Sequence, residues 1–380
     1  MDSLQGSRGD AESVGLQNKI WTYTINDGID FETLDVSIYK PVGHFYDDCA
    51  EYASALGIVL HPMLKKRPEF VTVINESQDL GELEEELENQ EGNLSPEIME
   101  LEILSHKFDY ANAKILSLVL PSSQIRTLKF NGCDLSAKEI EVVVEAICTE
   151  GSKVKTICLE YNPLDWNIEE NTQAVLKFIA KESPVINLSL RGSGITGHFV
   201  EAMLENVKNN TVLKYINFSR AYLDDDDIDH ICTLVEESKS LEALDLSHLQ
   251  FSQASISKFQ NIIGKHPFPA EEVDAHVKKE KERDQIVEKN RKSKNTKKPV
   301  EEFVPKVDPI ENMEDDGWVI WKNPNLRHLN ISFNKLGDAA GTLVHHFIKK
   351  TKDATITAFN CGLSEREMKK YKKDSRVKVH

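Results

Sequence analysis

The stretch LRGSGITG, residues 190–197, decides how this chain is read. Gly192, Gly194 and Gly197 form a G-x-G-x-x-G after an apolar run at 185–190 and before a helix-like segment. Strand, G-x-G-x-x-G and helix in that order make the phosphate-cradling fingerprint of dinucleotide-binding proteins. Such a fold also needs an acidic residue about 20 residues further on, to hold a ribose hydroxyl. The corresponding stretch here, NFSRAY at 217–222, contains none. The glycines therefore read as turn residues, provided the same turn recurs elsewhere.

It does recur. On the pattern L-x-x-L-x-L-x-x-(N/C)-x-L, one copy runs through Ile125, Leu128, Phe130, Cys133 and Leu135, and the next through Val154, Ile157, Leu159, Asn162 and Leu164. The third holds the opening stretch: Val185, Leu188, Leu190, Ser193 and Ile195. Leu213, Ile216, Phe218, Ala221 and Leu223 follow, then Leu241, Leu244, Leu246, Leu249 and Phe251. After a gap come Leu326, Leu329, Ile331, Asn334 and Leu336, with a weak last copy through Ile356, Cys361 and Leu363. Starts at 125, 154, 185, 213 and 241 give spacings of 29, 31, 28 and 28, a period long enough for a strand and a helix in each copy. Ile140, Val143, Val144 and Ile147, and later Phe199, Met203 and Val207, are spaced for the inner face of such helices. From about residue 122 onward the chain resembles the ribonuclease-inhibitor-like leucine-rich repeat family. The resemblance implies an α/β solenoid, with a parallel concave sheet and convex helices.

Composition sets limits around this frame. The chain has 380 residues, a net charge of −17 and a mean hydropathy of −0.42. The negative balance argues against nucleic-acid binding through the bulk field and favours protein partners. Six dispersed cysteines without a C-x-x-C, a polar start and no membrane-length apolar run lead us to expect a reducing, cytoplasmic setting. We divide the chain into a disordered tail (1–19), an irregular N-terminal extension with an acidic linker (20–93), and capping helices with the first part of the array (94–264). A charged insertion (265–321) and resumed repeats with a basic cap (322–380) complete it. Within the extension, FYDDCAEYASALG at 45–57 has helical spacing and the prolines of HPMLKKRPEF predict extended chain; SPEIMELEILSHKF at 95–108 reads as a capping helix.

From Leu241 to Leu326 is 85 residues where about 28 would do, so the array must extrude a loop or arm there. The arm carries a charged helical pattern, the basic run KNRKSKNTKK at 289–298, and GWVIW at its return, whose tryptophans we expect against the resumed repeat. A leucine-rich array broken late by a Lys-rich insertion and resumed by NPNLRHLNISFNKLGD resembles leucine-rich repeat proteins of motile cilia. FYDDCAEYASALGIVLHPMLKKRPEF resembles their pre-array segment. This chain differs in a shorter insertion and in having only Asn162 and Asn334 as asparagines at the turn position. The resemblance implies a structural component of the ciliary axoneme, bound to axonemal proteins or tubulin in the cytoskeleton.

Catalytic and metal motifs do not emerge. Asp225, Asp227, Asp229 and Glu236 imitate a calcium loop, but its sixth position is His230 rather than Gly, and the acids suit a helix start. His345 and His346 lack a zinc-type companion, and neither G-x-S-x-G nor a P-loop occurs. We therefore expect no enzyme activity, cofactor, metal or small-molecule substrate. The expected function is protein binding or scaffolding; a regulator of a small GTPase or a nuclear adaptor is the alternative. The candidate binding residues of the concave face are Lys129, Glu160, Tyr161, Arg191, Tyr215, Arg220, Asp245, His248, His328 and Phe333. Phe45 and Tyr52 in the extension, and Lys289, Arg291, Lys292 and Lys294 in the arm, are the others.

Overall fold

The computed structural model describes residues 26, 28–65, 98–295, 304–313, 317–349 and 354–379. The expected tail (1–19), the acidic linker and the end of the basic run lie outside them. Nine parallel strands form one sheet: β1 (Glu100–Leu104), β2 (Thr127–Asn131), β3 (Thr156–Cys158), β4 (Asn187–Ser189), β5 (Tyr215–Asn217), β6 (Ala243–Asp245), β10 (His328–Asn330), β11 (Thr355–Thr357) and β12 (Val377–Lys378). Corresponding residues pair across every junction, as in Leu128 with Ile157, Ile157 with Leu188 and Ile216 with Leu244. A helix follows most strands: α2 (Tyr110–Val119), α3 (Ala137–Cys148), α4 (Glu169–Leu176), α5 (Gly197–Asn209), α6 (Ile228–Glu237), α7 (Gln253–Ile262), α9 (Ala339–Ile348) and α10 (Glu365–Tyr371). This is a leucine-rich repeat solenoid. A strand of a few residues cannot bury its own face, so each repeat depends on its neighbours for a core.

The repeat positions form that core. Every pattern residue from Ile125 to Leu336 is buried, as are Ile356 and Cys361, while Leu363 is half-buried. The ninth position joins repeats through side chains: Asn162 accepts from Cys133 N (2.7 Å) and donates to Phe130 O (2.6 Å). Ser193 Oγ donates to Leu159 O, and Asn334 Nδ2 to Leu246 O at 2.8 Å. Even the cysteines serve, Cys133 Sγ donating to Ile103 O and Cys361 Sγ to Ile331 O. Burial pushes the Cys133 thiol up to about 12 and the Cys361 thiol to about 11, so both stay protonated donors at neutral pH.

Three expectations are corrected. First, SPEIMELEILSHKF is no capping helix: its described part holds β1, which pairs with β2 over Leu101–Leu128 and Ile103–Phe130. Ile98, Leu101, Ile103, His106 and Phe108 fit the repeat pattern 27 residues before Ile125 (125 − 98), so the array begins one repeat earlier. Second, the tryptophans of GWVIW do not dock on the resumed repeat. They stand on β9 (Gly317–Lys322), the centre of an antiparallel sheet with β7 (Gly264–Pro267) and β8 (Ile310–Met313), where Trp321 Nε1 donates to Glu311 Oε2 at 3.1 Å. Third, the HPMLKKRPEF segment starts not as extended chain but as a 3-10 turn, Pro62–Leu64.

The arm therefore has a folded base. From it runs α8 (Val273–Asn295), a helix polar on all sides. Its first half lies against the returning chain, with His276 Nε2 donating to Asp308 O (2.8 Å) and Arg283 to Val307 O (3.3 Å). Lys306 fastens this return to the array: its half-buried ammonium donates to Val235 O (3.2 Å) and Glu236 O at the end of α6, and to Asn323 Oδ1. Carbonyls at a helix C-terminus lack intrahelical donors and carry partial negative charge, so a lysine belongs there.

At the other end, α1 (Phe45–Leu56) packs on α2 and covers the first repeat. Asp48, fully buried, accepts from Tyr39 OH (2.6 Å), Val42 N and Gly43 N (both 2.9 Å), which pins the chain entering α1.

Candidate functional site

Side chains at alternate positions of the short strands face the concave side, which places Lys129, Tyr215, Asp245 and His328 there. Some are already employed within the sheet. Lys129 Nζ pairs with Glu100 at 2.5 Å, and His328 Nδ1 bonds Thr355 Oγ1. A shallow depression of about 190 Å³ lies between Tyr215, Asp245, His328, Asn330, Thr355 and Lys378. Burial, and the carboxylates of Asp245 and Glu160, push the Tyr215 phenol up, so it remains a neutral donor.

Tyr161, Arg220, His248 and Phe333 stand elsewhere than the concave strands. They occupy the eighth repeat position, on the turn that follows each strand. In all eight repeats this residue is left-handed: Ser105, Gly132, Tyr161, Gly192, Arg220, His248, Phe333 and Asn360 have φ between 50° and 64°. The conformation lets the backbone ladder continue past the strands. From Ser105 to Phe333, each eighth-position N–H donates to the seventh-position carbonyl of the next repeat at 2.7–3.1 Å. A side chain in this conformation costs roughly 1 kcal/mol that glycine avoids. Tyr, Arg, His and Phe at four of the eight positions are thus costlier in backbone terms than glycine. Tyr161, His248 and Phe333 recover part of this by packing on neighbouring repeats, and all four still present side chains outward.

The opening stretch sits in the middle of this ridge. Gly192 is the eighth-position residue of its repeat, its N–H donating to Ser219 O at 2.9 Å. A Cβ there would stand 2.6 Å from the Tyr161 ring, and one on Gly194 3.5 Å from that of Tyr222. Each glycine is the floor for a tyrosine, one from the repeat before and one from the repeat after. Gly197, at the start of α5, has Asp227 where a Cβ would go. The G-x-G-x-x-G is thus a pair of aromatic seats and a close helix approach. Tyr222, 72% exposed, escaped the sequence reading because the tenth position carries no pattern; two glycines in register with two tyrosines was the available signal.

Around those seats the charges are unevenly satisfied. The Arg191 guanidinium lies 5.6 Å from the centroid of the Tyr161 ring, and its buried Nε has no partner. Among the described residues neither Arg191 nor Arg220 has a carboxylate at ion-pair distance. The nearby acids are engaged: Glu160 accepts from Ser189 Oγ (2.7 Å), and Asp245 from Asn330 Nδ2 (2.8 Å) and Ser247 N (2.9 Å). His248 stacks on Phe333, centroids 4.0 Å apart and planes within 9°. Partial burial, then the charges of Arg220 and Arg191, hold its imidazole below the usual range against the opposing carboxylate of Asp245.

The other candidates are redistributed. Phe45 and Tyr52, each 3% exposed, belong to the chain's own core, with Tyr52 OH donating to Tyr39 O at 3.0 Å; in the folded chain they are no partner anchor. Lys289, Arg291 and Lys292 are exposed on α8; Lys294 lies on the same helix. The apparent calcium loop is spent on capping, since Asp225 accepts from Ser252 N (2.8 Å) and from the hydroxyls of Ser252 and Ser255. Among the described residues no three His, Cys, Asp or Glu side chains are grouped to hold a metal ion. His346 Nε2 donates to Ile263 O at 2.6 Å. No described helix is long and apolar enough to cross a membrane.

Comparison with known proteins agrees with the fold. The family model described as Leucine Rich repeat matches residues 322–343, which span β10 and the start of α9. With the nine-stranded parallel sheet, the match supports a leucine-rich repeat protein, a class that generally mediates protein–protein interaction. No curated protein matches the chain.

Proposed function

We propose that this chain is a non-enzymatic scaffold that binds other proteins through the turn ridge and the adjoining concave face, as a structural component of the ciliary axoneme. The observation that carries the binding role is the set of bulky side chains, Tyr161, Arg220, His248 and Phe333, held at left-handed positions where glycine would cost the backbone less. Tyr and Arg are also the residue types that dominate binding energy at protein interfaces. The axonemal assignment is supported by the late Lys-rich insertion, which resembles that of leucine-rich repeat-containing protein seventy-one of motile cilia. Its partners are then axonemal proteins or tubulin, and its place is the cytoskeleton rather than a membrane.

Localisation of the tagged full chain in ciliated cells tests this. Retention in cilia after detergent extraction is the expected result; a diffuse cytosolic or nuclear signal overturns the axonemal reading and leaves the binding role to the experiment below.

A further inference from the structure

We propose that the ridge formed by Tyr161, Arg191, Arg220 and Tyr222 docks an extended acidic segment of a partner protein, its carboxylates on the two guanidiniums and an apolar side chain between the tyrosine rings. The inference rests on the scaffold reading and adds the chemistry of the partner.

Three observations meet at this patch. The first is unspent positive charge. In a chain of net charge −17, Arg191 and Arg220 have no ion-pair partner among the described residues, although Glu160 and Asp245 stand close by. Those two carboxylates are held instead by Ser189, Asn330 and Ser247. Of the acids after Tyr222, Asp224 accepts from Asp226 N (3.0 Å), Asp225 from Ser252 and Ser255, and Asp227 from Asp224 N (3.2 Å). These neutral donors orient the carboxylates without removing their charge, and Asp226 is exposed, so recognition rests on the two guanidinium forks and not on the net charge of the patch. A guanidinium offers five donors in a planar fork that matches a carboxylate; Arg220 is exposed, and at Arg191, whose Nε is buried, the terminal amino groups are left for a ligand.

The second is flat, exposed aromatic area. Tyr161 (39% exposed) and Tyr222 (72%) rest on Gly192 and Gly194, so both rings are pre-positioned and lose little freedom on binding. Trp166 Nε1 donates to Ser193 O (2.8 Å) and fixes the turn between the two seats. The third is rigidity. Arg220 N donates to Ser247 O (3.1 Å) and Tyr161 N to Arg191 O (2.8 Å), so the charged and aromatic groups hang from one continuous ladder. An extended ligand crossing the turns meets Tyr161 in one repeat, Arg191 in the next, and Arg220 with Tyr222 in the one after. A nucleic acid would also bring negative charge, but the overall charge of −17 opposes a long polyanion, whereas a short acidic peptide presents fewer charges to it.

The experiment is fluorescence anisotropy on the full chain, with labelled short peptides of alternating Glu and Leu. Their Gln/Leu and Lys/Leu counterparts and a labelled single-stranded oligonucleotide are the other arms. The Glu/Leu peptide is expected to bind about tenfold more tightly than the Gln/Leu one, and less tightly as salt rises, as charge-assisted contacts at an exposed surface should. Arg191→Gln with Arg220→Gln removes that preference without changing the melting temperature. Tyr222→Ser weakens all the peptides together, because it removes apolar contact and no charge. The proposal is overturned if the Gln/Leu or Lys/Leu peptide binds as well as the Glu/Leu one, if the double arginine variant keeps the preference, or if the oligonucleotide binds best. Those outcomes leave ciliary retention untouched, and loss of ciliary retention leaves the acidic preference untouched, so the two readings fail separately.

Discussion

Two junctions of the same sheet differ in the chain that joins them and scarcely at all in structure. Between β5 and β6 the repeats start 28 residues apart (241 − 213); between β6 and β10 they start 85 apart (326 − 241). Yet Leu244 pairs with Ile216 on one side and with Leu329 on the other, both in parallel register. Phe218 N donates to Asp245 O at 2.9 Å, and Leu246 N to Asn330 O at 2.8 Å. The repeat signature, not chain continuity, sets the register. Loop closure explains why this is tolerable: lengthening a loop from 28 to 85 residues costs only about 1 kcal/mol of extra entropy. The arm reduces even that, because β7 pairs with β9 from Gly264–Lys322 to Pro267–Val319 and closes its own base.

If the ladder positions make the junctions, the largest effect of a single substitution should fall where a ladder side chain is most fully used. Asn162 uses both its oxygen and its amide, accepting from Cys133 N and donating to Phe130 O. Asn334 donates to Leu246 O and Ile331 O, but its Oδ1 is buried without a partner. Each buried group left unpaired costs about 1–3 kcal/mol, so Asn162→Ala should lose about 3–4 kcal/mol and Asn334→Ala about 1–2. Urea unfolding of the two variants checks this. Equal losses, or a larger one at Asn334, would mean that the interrupted junction depends more on its asparagine than the continuous one.

The sequence spoke clearly where a short-range pattern repeats, and poorly where a structure depends on one partner. The buried row from Ile125 to Leu336 was legible because burying the inner face of each repeat demands apolar residues at fixed spacing. The first repeat was hidden because Glu97, Glu100 and Glu102 surround its leucines, and Ser95-Pro96-Glu97 imitates a helix start. The base of the arm was hidden because its three strands lie far apart in sequence and match no repeat. At the candidate site, residue identities were partly legible and their placement was not. Tyr161, Arg220, His248 and Phe333 stand on the turns, because only backbone dihedrals distinguish the eighth position from the strand before it.

The N-terminal cap is a joint of the second kind, built from single side chains rather than a ladder. His61 is fully buried beside His106 and Phe108; its N–H donates to Asn112 Oδ1 (2.7 Å) and its Nδ1 accepts from Met63 N (3.1 Å). Burial, helped by His106, pushes its imidazole down to about 4 from an ordinary 6.5. The folded state then resists a proton that the unfolded chain accepts, so stability is intact above pH 6.5 and falls as pH drops towards 4. The full loss is about 3 kcal/mol. Melting followed across this window should show the loss in the native chain and a flatter profile in His61→Phe; parallel profiles would remove His61 as the cause.

Lys306 is the corresponding single-residue joint of the arm. Lys306→Met keeps the buried stem but removes the donor to Val235 O, Glu236 O and Asn323 Oδ1, at a cost of about 2 kcal/mol. Because the β6–β10 pairing does not depend on it, the loss should appear as faster proteolysis between α7 and β10, with the array's main unfolding transition little changed. A matching fall in the main transition would show that the arm and the array unfold together, and the contrast between the two kinds of joint would not hold.

The smallest effect belongs to the exposed half of α8. Arg291 and Lys292 pair with Glu288 at 3.0 and 3.6 Å, all three on the surface of a helix with few apolar contacts. Surface pairs of this kind contribute little, so Arg291→Ala with Lys292→Ala should change stability by less than about 0.5 kcal/mol. A near-zero effect is the useful outcome, because any change in partners captured by the double variant can then be assigned to lost contacts rather than lost fold. Salt-sensitive capture that disappears with these charges would make α8 a second binding element beside the ridge; unchanged capture would make it a spacer, with recognition confined to the array.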